Sequence, residues 1–263
     1  MNEFKSWNSY GHFARRVRRE ARFIRTVEDK DFLRQVLSTS KQRIFKIPEA
    51  CGLWRAQLGH DWRPCYVGGE YITDDYAPHP PERMKPIQGR ATEGRANPKG
   101  IPVLYLSNER KTAMSEVRPW MGSLVSCAHF EIIRPLRIVD LSVHHQDNAV
   151  SYLFGPEPDV IAREKAVWTQ IDQAFSEPMT SADDVADYVP TQVIAELFKV
   201  EGYDGIAYKS TFEENGYNIA LFNPDDAKLT CCSLYRAKSL EFSFEEVDDP
   251  YWIKDDNIRD VPE

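Results

Sequence analysis

The chain has 263 residues, is 42% hydrophobic and 12% aromatic, and carries a formal net charge of -8. That suits one large domain with a sizeable core and room for a small extra one. No run approaches the roughly 18 apolar residues of a membrane helix, no apolar signal-peptide core stands in "MNEFKSWNSYGHFARRVRRE", and the acidic balance makes non-specific nucleic-acid binding unexpected.

The charge is unevenly spread. Residues 1–50 hold 12 Lys and Arg against 6 Asp and Glu, a balance of +6 that leaves -14 for the remainder. "FARRVRREARFIRTVEDKDFLRQVLSTS" reads as helix, with Phe13, Val17, Phe23, Ile24, Phe32, Leu33, Val36 and Leu37 near a 3.6-residue period. Its arginines 15, 16, 18, 19, 22 and 25 form either a solvated face or a docking surface for an acidic partner or the acidic body of the same chain.

After Pro48, "GLWRAQL" is short and strand-like, and "GGEYITDDYAPHPPERMKPIQGRATEGRANPKG" reads mostly as loop. A loop of that length in a compact domain is often functional or mobile. "IPVLYLS" is a strand. "NERKTAMSEVRPW" is a helix that Ser107 or Asn108 can cap and Pro119 ends. "SLVSCAHFEII" and "RIVDLS" are strands, residues 159–176 a helix, and "PTQVIAELFKVEG" another, with Pro190 at its start and Gly202 past its end. "YDGIAYKS", "YNIALF" and "KLTCCSLY" are strands, "LEFSFEEV" alternates like an edge strand, and the acidic tail "DDPYWIKDDNIRDVPE" is expected to attach loosely. Strands that follow one another without intervening helices point to an α+β fold rather than repeated βαβ units.

Neither GxGxxG nor GxxxxGK[ST] occurs, so a Rossmann fingerprint and a P-loop are both missing. Five cysteines without a CxxC pair predict buried free thiols in a reducing cytoplasm. His144 and His145 are adjacent and would point to opposite faces of a strand. No metal site is expected there or in "HDWRPC".

The chemistry concentrates in "GRANPKGIPVLYLSNERKTAMSE", Gly94 to Glu116. Arginine offers a planar fork of donors that suits phosphate oxygens, and Gly94, Pro98 and Gly100 let a loop close around such a ligand. Tyr105 supplies a flat ring and a hydroxyl at mid-strand. A helix from about Asn108 puts Thr112, Ala113 and Glu116 on one face. Arg95 for phosphate, Tyr105 for stacking and Glu116 for ribose hydroxyls or a developing anomeric cation would together serve a dinucleotide such as NAD. The plain alternative is a surface arginine, a core tyrosine and a solvated helical glutamate.

Two further segments join this one: Trp54-Arg55 in "LWRAQL", and "EGYDGIAYKSTFEENGYNIALF" with Ser210 and Asn218. The ordered set (Trp54-Arg55; Gly94-Arg95 through Ser107; Thr112-Ala113 to Glu116; Tyr203 through Ser210; Asn218 to Phe222) resembles the RES domain family over about residues 50–235. The resemblance implies an ADP-ribosyltransferase-like fold of two packed mixed β-sheets with flanking helices. Here an N-terminal helical extension (1–48) precedes the catalytic domain (49–245) and an acidic tail (246–263) follows it.

The resemblance also implies NAD+ as substrate, with inorganic phosphate a possible co-substrate, and no metal or resident cofactor. Arg55 and Arg95 would hold phosphates, Tyr105 would flank the nicotinamide riboside, and Glu116 would stabilise an oxocarbenium-like transition state. Ser210 would bind phosphate or a ribose hydroxyl, with Asn218 beside it; Arg55, Glu116 and Ser210 form the expected catalytic set. Arg90, in "QGRAT", duplicates the Gly-Arg element, but only Arg95 is followed by Asn-Pro-x-Gly. The implied activity is NAD+ phosphorolysis or hydrolysis by a toxin-like or defence effector. The alternatives are ADP-ribosyl transfer to a protein and a non-catalytic NAD-binding module. Implied partners are an antitoxin or regulatory protein and, as an option, further copies of the chain. The extension reads as a packed completion of the fold, or as a lid or partner-binding module.

Overall fold

The structure, a computed structural model, describes residues 3–143, 145, 152, 156–177, 185–241, 251–254 and 257–260. In chain order the elements are α1 (Ser9–Arg19), α2 (Val27–Ser40), β1 (Ile44–Ile47), β2 (Gly52–Leu58), β3 (Asp61–Val67), β4 (Glu70–Ala77), α3 (Pro81–Met84), β5 (Leu104–Ser107) and α4 (Arg110–Glu116). There follow β6 (Leu124–Ile132), β7 (Leu136–Asp140), α5 (Val160–Ser176), α6 (Val189–Val200), β8 (Gly205–Lys209), β9 (Tyr217–Leu221), β10 (Ala227–Arg236), β11 (Tyr251–Lys254) and β12 (Asn257–Asp260).

Eight strands form one mixed sheet in the order β1-β7-β8-β9-β5-β2-β6-β10. Only β7 and β8 run parallel, and their connection carries α5 and α6, the long crossover that a parallel pair requires. The joint in this sheet decides the site. β2 pairs with β6 over seven residues but touches β5 at the single pair Trp54–Ser107. The two expected sheets are therefore two halves of one ladder, hinged at that pair.

Period-two alternation divides the core. Val139, Ile206, Tyr208 and Ala220 face the helices, packing with Trp168 and Phe175 of α5 and Ile194 and Phe198 of α6. Their neighbours Ile138, Ala207, Ile219 and Leu221 face the other way and pack against Leu53, Ala128 and Phe130 of the second half. A third, smaller cluster seats Ala113 of α4 on Ala56, Val125 and Cys127.

The N-terminal region forms two helices rather than one. Thr26 caps α2, accepting from the Asp29 backbone N–H at 3.1 Å, while its own N–H reaches Asp29 at 3.3 Å. This reciprocal capping box starts a new helix where the periodicity ran on. Phe23 and Ile24, read as helix-face residues, lie in the break and are 90% and 83% exposed. Phe13 stacks on Phe32 with centroids 4.6 Å apart, inside the same cluster as Trp168 and Phe198. β1 extends the sheet alongside β7. Of the arginines, Arg16 pairs with buried Asp29 at 2.7 Å and Arg18 with Asp187 at 3.3 Å.

Other expectations change. "GGEYITDDYA", read as loop, belongs to a β3–β4 hairpin. Gly68 and Gly69, at φ +59° and +87°, make the two-residue turn whose twist matches paired strands. The N-cap of α4 is Glu109, with no side-chain bond. Asn108 instead accepts from the Tyr217 N–H at 2.8 Å, and the Ser107 hydroxyl is committed to Asn218. Within the acidic tail, β11 and β12 pair as a hairpin. Most of "LEFSFEEV" lies outside the described residues, as does His144. His145 sits in a turn and bonds Asp172 through Nδ1. All five cysteines are free, but only Cys127 is buried, and Cys65 and Cys231 are exposed. No cluster with metal-binding potential occurs among the described residues.

Packing of Phe13 makes the extension part of the core. Phe13→Ala should destabilise the chain by about 3–5 kcal/mol, whereas exposed Arg15→Ala should change stability by less than about 0.5 kcal/mol. Thermal melts of both variants check this; equal melting temperatures would show the helices to be a loose appendage.

Candidate active site

Beyond the Trp54–Ser107 pair, β2 and β5 part, and a cavity of about 540 Å³ opens between them. Arg55 and Tyr105 line it from the two strands, Glu116 and Ala113 from α4, and Tyr208 and Asn218 from β8 and β9.

Arg55 follows Leu53 by two residues and so continues the face that packs between the sheet halves. Its Nη1 donates to the Tyr105 carbonyl at 3.0 Å, across the gap where the ladder has split. Burial pushes its guanidinium down to about 10, which leaves it charged at neutral pH. Its Nε has no partner, and among the described residues no carboxylate pairs with it. A cation without a counter-charge at this depth is poised for an anionic ligand.

Glu116 ends α4, so the helix carries it to the cavity edge. One oxygen, Oε1, accepts from both the Ser210 hydroxyl at 2.7 Å and Asn218 Nδ2 at 2.6 Å. The Asn218 amide is itself oriented by the Ser107 hydroxyl, which donates to its Oδ1 at 2.8 Å. Ser107, Ser210 and Asn218 are all buried. Three chain-distant segments thus hold one carboxylate in one orientation.

Tyr105 does two jobs. It lines the cavity, and its hydroxyl holds the loop ahead of it. The hydroxyl donates to Asn97 Oδ1 at 2.7 Å and accepts from the Ala96 N–H at 2.9 Å. Burial raises the phenol above its usual range. Asn97 Nδ2 donates to the carbonyls of Thr92, Pro98 and Ile101, and Gln192 of α6 donates to those of Gly94 and Asn97. A Cβ on Gly94 would come within 2.6 Å of the Tyr105 hydroxyl, so only glycine fits there.

The braced loop places Arg95 at a second, smaller cavity of about 140 Å³ that shares Glu116, Tyr208 and Asn218 with the first. Arg95 donates to the Ala174 carbonyl and lies 5.8 Å from the Tyr188 ring. Arg90 is exposed in a turn away from either cavity. The structure therefore gathers Arg55, Arg95, Tyr105, Glu116 and Asn218 around two adjoining cavities, with Ser210 holding Glu116 from behind.

Three further residues went unassigned in the sequence. Tyr208 lines both cavities; its place in "GIAYKS", two residues before Ser210, is a strand-parity signal that could have found it. Tyr188 and Arg118 line the smaller cavity, the latter in a left-handed backbone conformation with φ 47°. Neither carries a sequence signal, because folding alone brings them to Glu116.

A model of the RES domain family matches residues 68–244. The match spans Arg95, Tyr105, Glu116, Ser210 and Asn218; Arg55 and the N-terminal helices lie ahead of it. Among solved structures, the chain is similar to one in the M. tuberculosis MbcT–MbcA toxin–antitoxin complex, at 14% identity and a TM-score of 0.42, covering 77% of this chain and 92% of that one. A search of curated proteins finds no match.

The Tyr105 hydroxyl is a test of the loop brace. Tyr105→Phe leaves the Ala96 N–H and Asn97 Oδ1 without their partner, at a cost of about 1–3 kcal/mol. Hydrogen exchange should quicken at residues 94–101 while the sheet stays protected. Unchanged exchange there would mean the loop is held by Asn97 and Gln192 alone.

Proposed function

Because this chain belongs to the RES domain family, we propose that it degrades NAD+ by breaking the bond between nicotinamide and ribose, with inorganic phosphate or water taking the ribosyl group. The observation that carries this reading is the fixed Glu116 carboxylate, flanked by one cavity holding Arg55 and another holding Arg95.

The chemistry asks little of the protein beyond position and charge. As the C1″–N1 bond breaks, its electron pair neutralises the nicotinamide ring, so the leaving group needs no acid. Positive charge develops on the ribosyl ring. Glu116, held through Oε1, presents fixed negative charge to that cation and needs no reorganisation during the reaction. Arg55 and Arg95 hold phosphate groups of the substrate, or the attacking phosphate, on either side. A phosphate oxygen then forms the new C–O bond and gives ADP-ribose 1″-phosphate. Water in that role gives ADP-ribose and loses a proton to solvent. The residues supply no nucleophile of their own, so product identity depends on what occupies the acceptor position.

An NAD-consuming activity of this kind fits a toxin-like or defence effector restrained by a partner protein. No helix among the described residues is long and apolar enough to cross a membrane, in keeping with action on a dissolved substrate.

Incubating the chain with NAD+, with and without phosphate, and identifying the products tests the proposal. Nicotinamide with ADP-ribose 1″-phosphate indicates phosphorolysis, free ADP-ribose indicates hydrolysis, and ADP-ribosylated protein indicates transfer. No nicotinamide release under any condition would overturn the proposal.

Glu116→Gln keeps an oxygen for Ser210 and Asn218 but removes the charge. Turnover should fall by at least about 100-fold with circular dichroism unchanged, and wild-type NAD+ consumption by this variant would remove Glu116 from the mechanism.

On that inactive background, Arg55→Ala and Arg95→Ala should each weaken NAD+ binding by about tenfold or more, a loss of one charged hydrogen-bonding partner. Arg90→Ala should leave affinity within about twofold, as expected of an exposed side chain away from the cavities. Calorimetric titration reads all three, and a larger effect from Arg90 would overturn the phosphate assignments.

A further inference from the structure

The β3–β4 hairpin is not hydrogen-bonded to the eight-stranded sheet, and every residue of β3 and all but the last of β4 are exposed. A lone two-stranded hairpin is marginally stable in water, and its open edges invite pairing. This one carries its own aromatic face. Trp62 lies opposite Tyr76, with centroids 4.8 Å apart, and His60 meets both rings edge-on. Nearer the turn, Tyr66 lies opposite Tyr71 at 6.0 Å. The hairpin holds four acidic side chains (Asp61, Glu70, Asp74 and Asp75) and one arginine.

The same molecule exposes a feature of opposite charge. Between α1 and α2 the chain makes a turn with Arg22 and Arg25 around Phe23 and Ile24, next to Arg19 at the end of α1, while Glu20 pairs with Arg15 at 3.9 Å. Val27, the first residue of α2, adds to it at 70% exposure. The capping box at Thr26 and the Phe13–Phe32 stack hold the flanking helices, so the turn projects from a rigid base. Exposed apolar residues this concentrated mark interaction surfaces rather than ordinary solvated ones.

We infer that the Arg19–Val27 turn of one copy docks on the acidic aromatic hairpin of a second copy, reciprocally, forming a two-fold dimer. Phe23 and Ile24 would cover the Trp62–Tyr76 rings, and Arg22 and Arg25 would lie over aromatic faces beside Asp74, an arrangement that favours guanidinium over ammonium. Charge complementarity selects this occupant: the hairpin is acidic and the turn basic. A two-fold operation satisfies both surfaces in both copies and closes the assembly.

Light scattering coupled to size exclusion tests this up to about 100 μM, a range that captures micromolar association. The wild-type chain should run as a dimer that weakens in about 0.5 M salt, where surface attraction is screened. Phe23→Ser with Ile24→Ser, and separately Trp62→Ser with Tyr76→Ser, should each weaken dimerisation by at least about tenfold. Melting temperatures should hold at dilutions where the wild type is monomeric, because all four side chains are exposed in the single chain. Mixing the two double variants leaves one intact turn–hairpin contact and should recover a heterodimer that neither forms alone. A wild-type monomer throughout this range, dimers unaffected by either pair, or no heterodimer on mixing would each overturn the inference. Capture of a partner protein by the hairpin without self-association would do the same, and would assign that surface to the partner.

Discussion

The structure turns on the place where its main sheet nearly comes apart. β2 and β5 share only the Trp54–Ser107 pair, so backbone groups beyond it are released from the ladder. Released carbonyls in a protein interior must find donors. One of them, that of Tyr105, finds Arg55 at 3.0 Å. The bond that mends the split also fixes a half-buried cation at the mouth of the cleft. A fully zipped sheet would have had neither the opening nor a reason to draw an arginine into it.

The electrostatics of the site follow from this. The chain as a whole is acidic, yet the cleft holds Arg55 without a carboxylate partner among the described residues, and Arg95 beside the adjoining cavity. Glu116 is the carboxylate both cavities share, and its hydrogen bonds to Ser210 and Asn218 fall on one oxygen. Cation, carboxylate and cation come from β2, α4 and the loop before β5. Each has its own brace: the Tyr105 carbonyl for Arg55, the Ser210 and Asn218 side chains for Glu116, and the Asn97–Tyr105–Gln192 network behind Arg95.

The N-terminal helices belong to the same economy of packing. They lie ahead of the residues matched by the family model, but Phe13, Val17, Phe32 and Val36 share one buried cluster with the helices that cover the sheet. Tyr188, whose ring lies beneath Arg95, follows Asp187, which pairs with Arg18 of α1. The extension therefore backs one wall of the candidate site without lining it.

Much of this was written in the chain itself. Alternation and helical spacing located most strands and both long helices of the crossover, because those patterns reflect local geometry that any fold must respect. Arg55, Arg95, Tyr105, Glu116, Ser210 and Asn218 were nameable because their motifs stand in order along the chain. Elsewhere a local signal was present but outweighed: the Gly68-Gly69 turn was lost in a Pro- and Gly-rich stretch, and the Thr26 cap lay within an apparently unbroken periodicity. Only the tertiary structure could decide that two sheets are halves of one, that Ser107 orients Asn218 rather than capping a helix, and that Tyr188, Tyr208 and Arg118 meet at Glu116. Those facts depend on which strands pair and where pairing stops. Pairing is set by the burial of side chains far apart in sequence, so no short window of residues contains it.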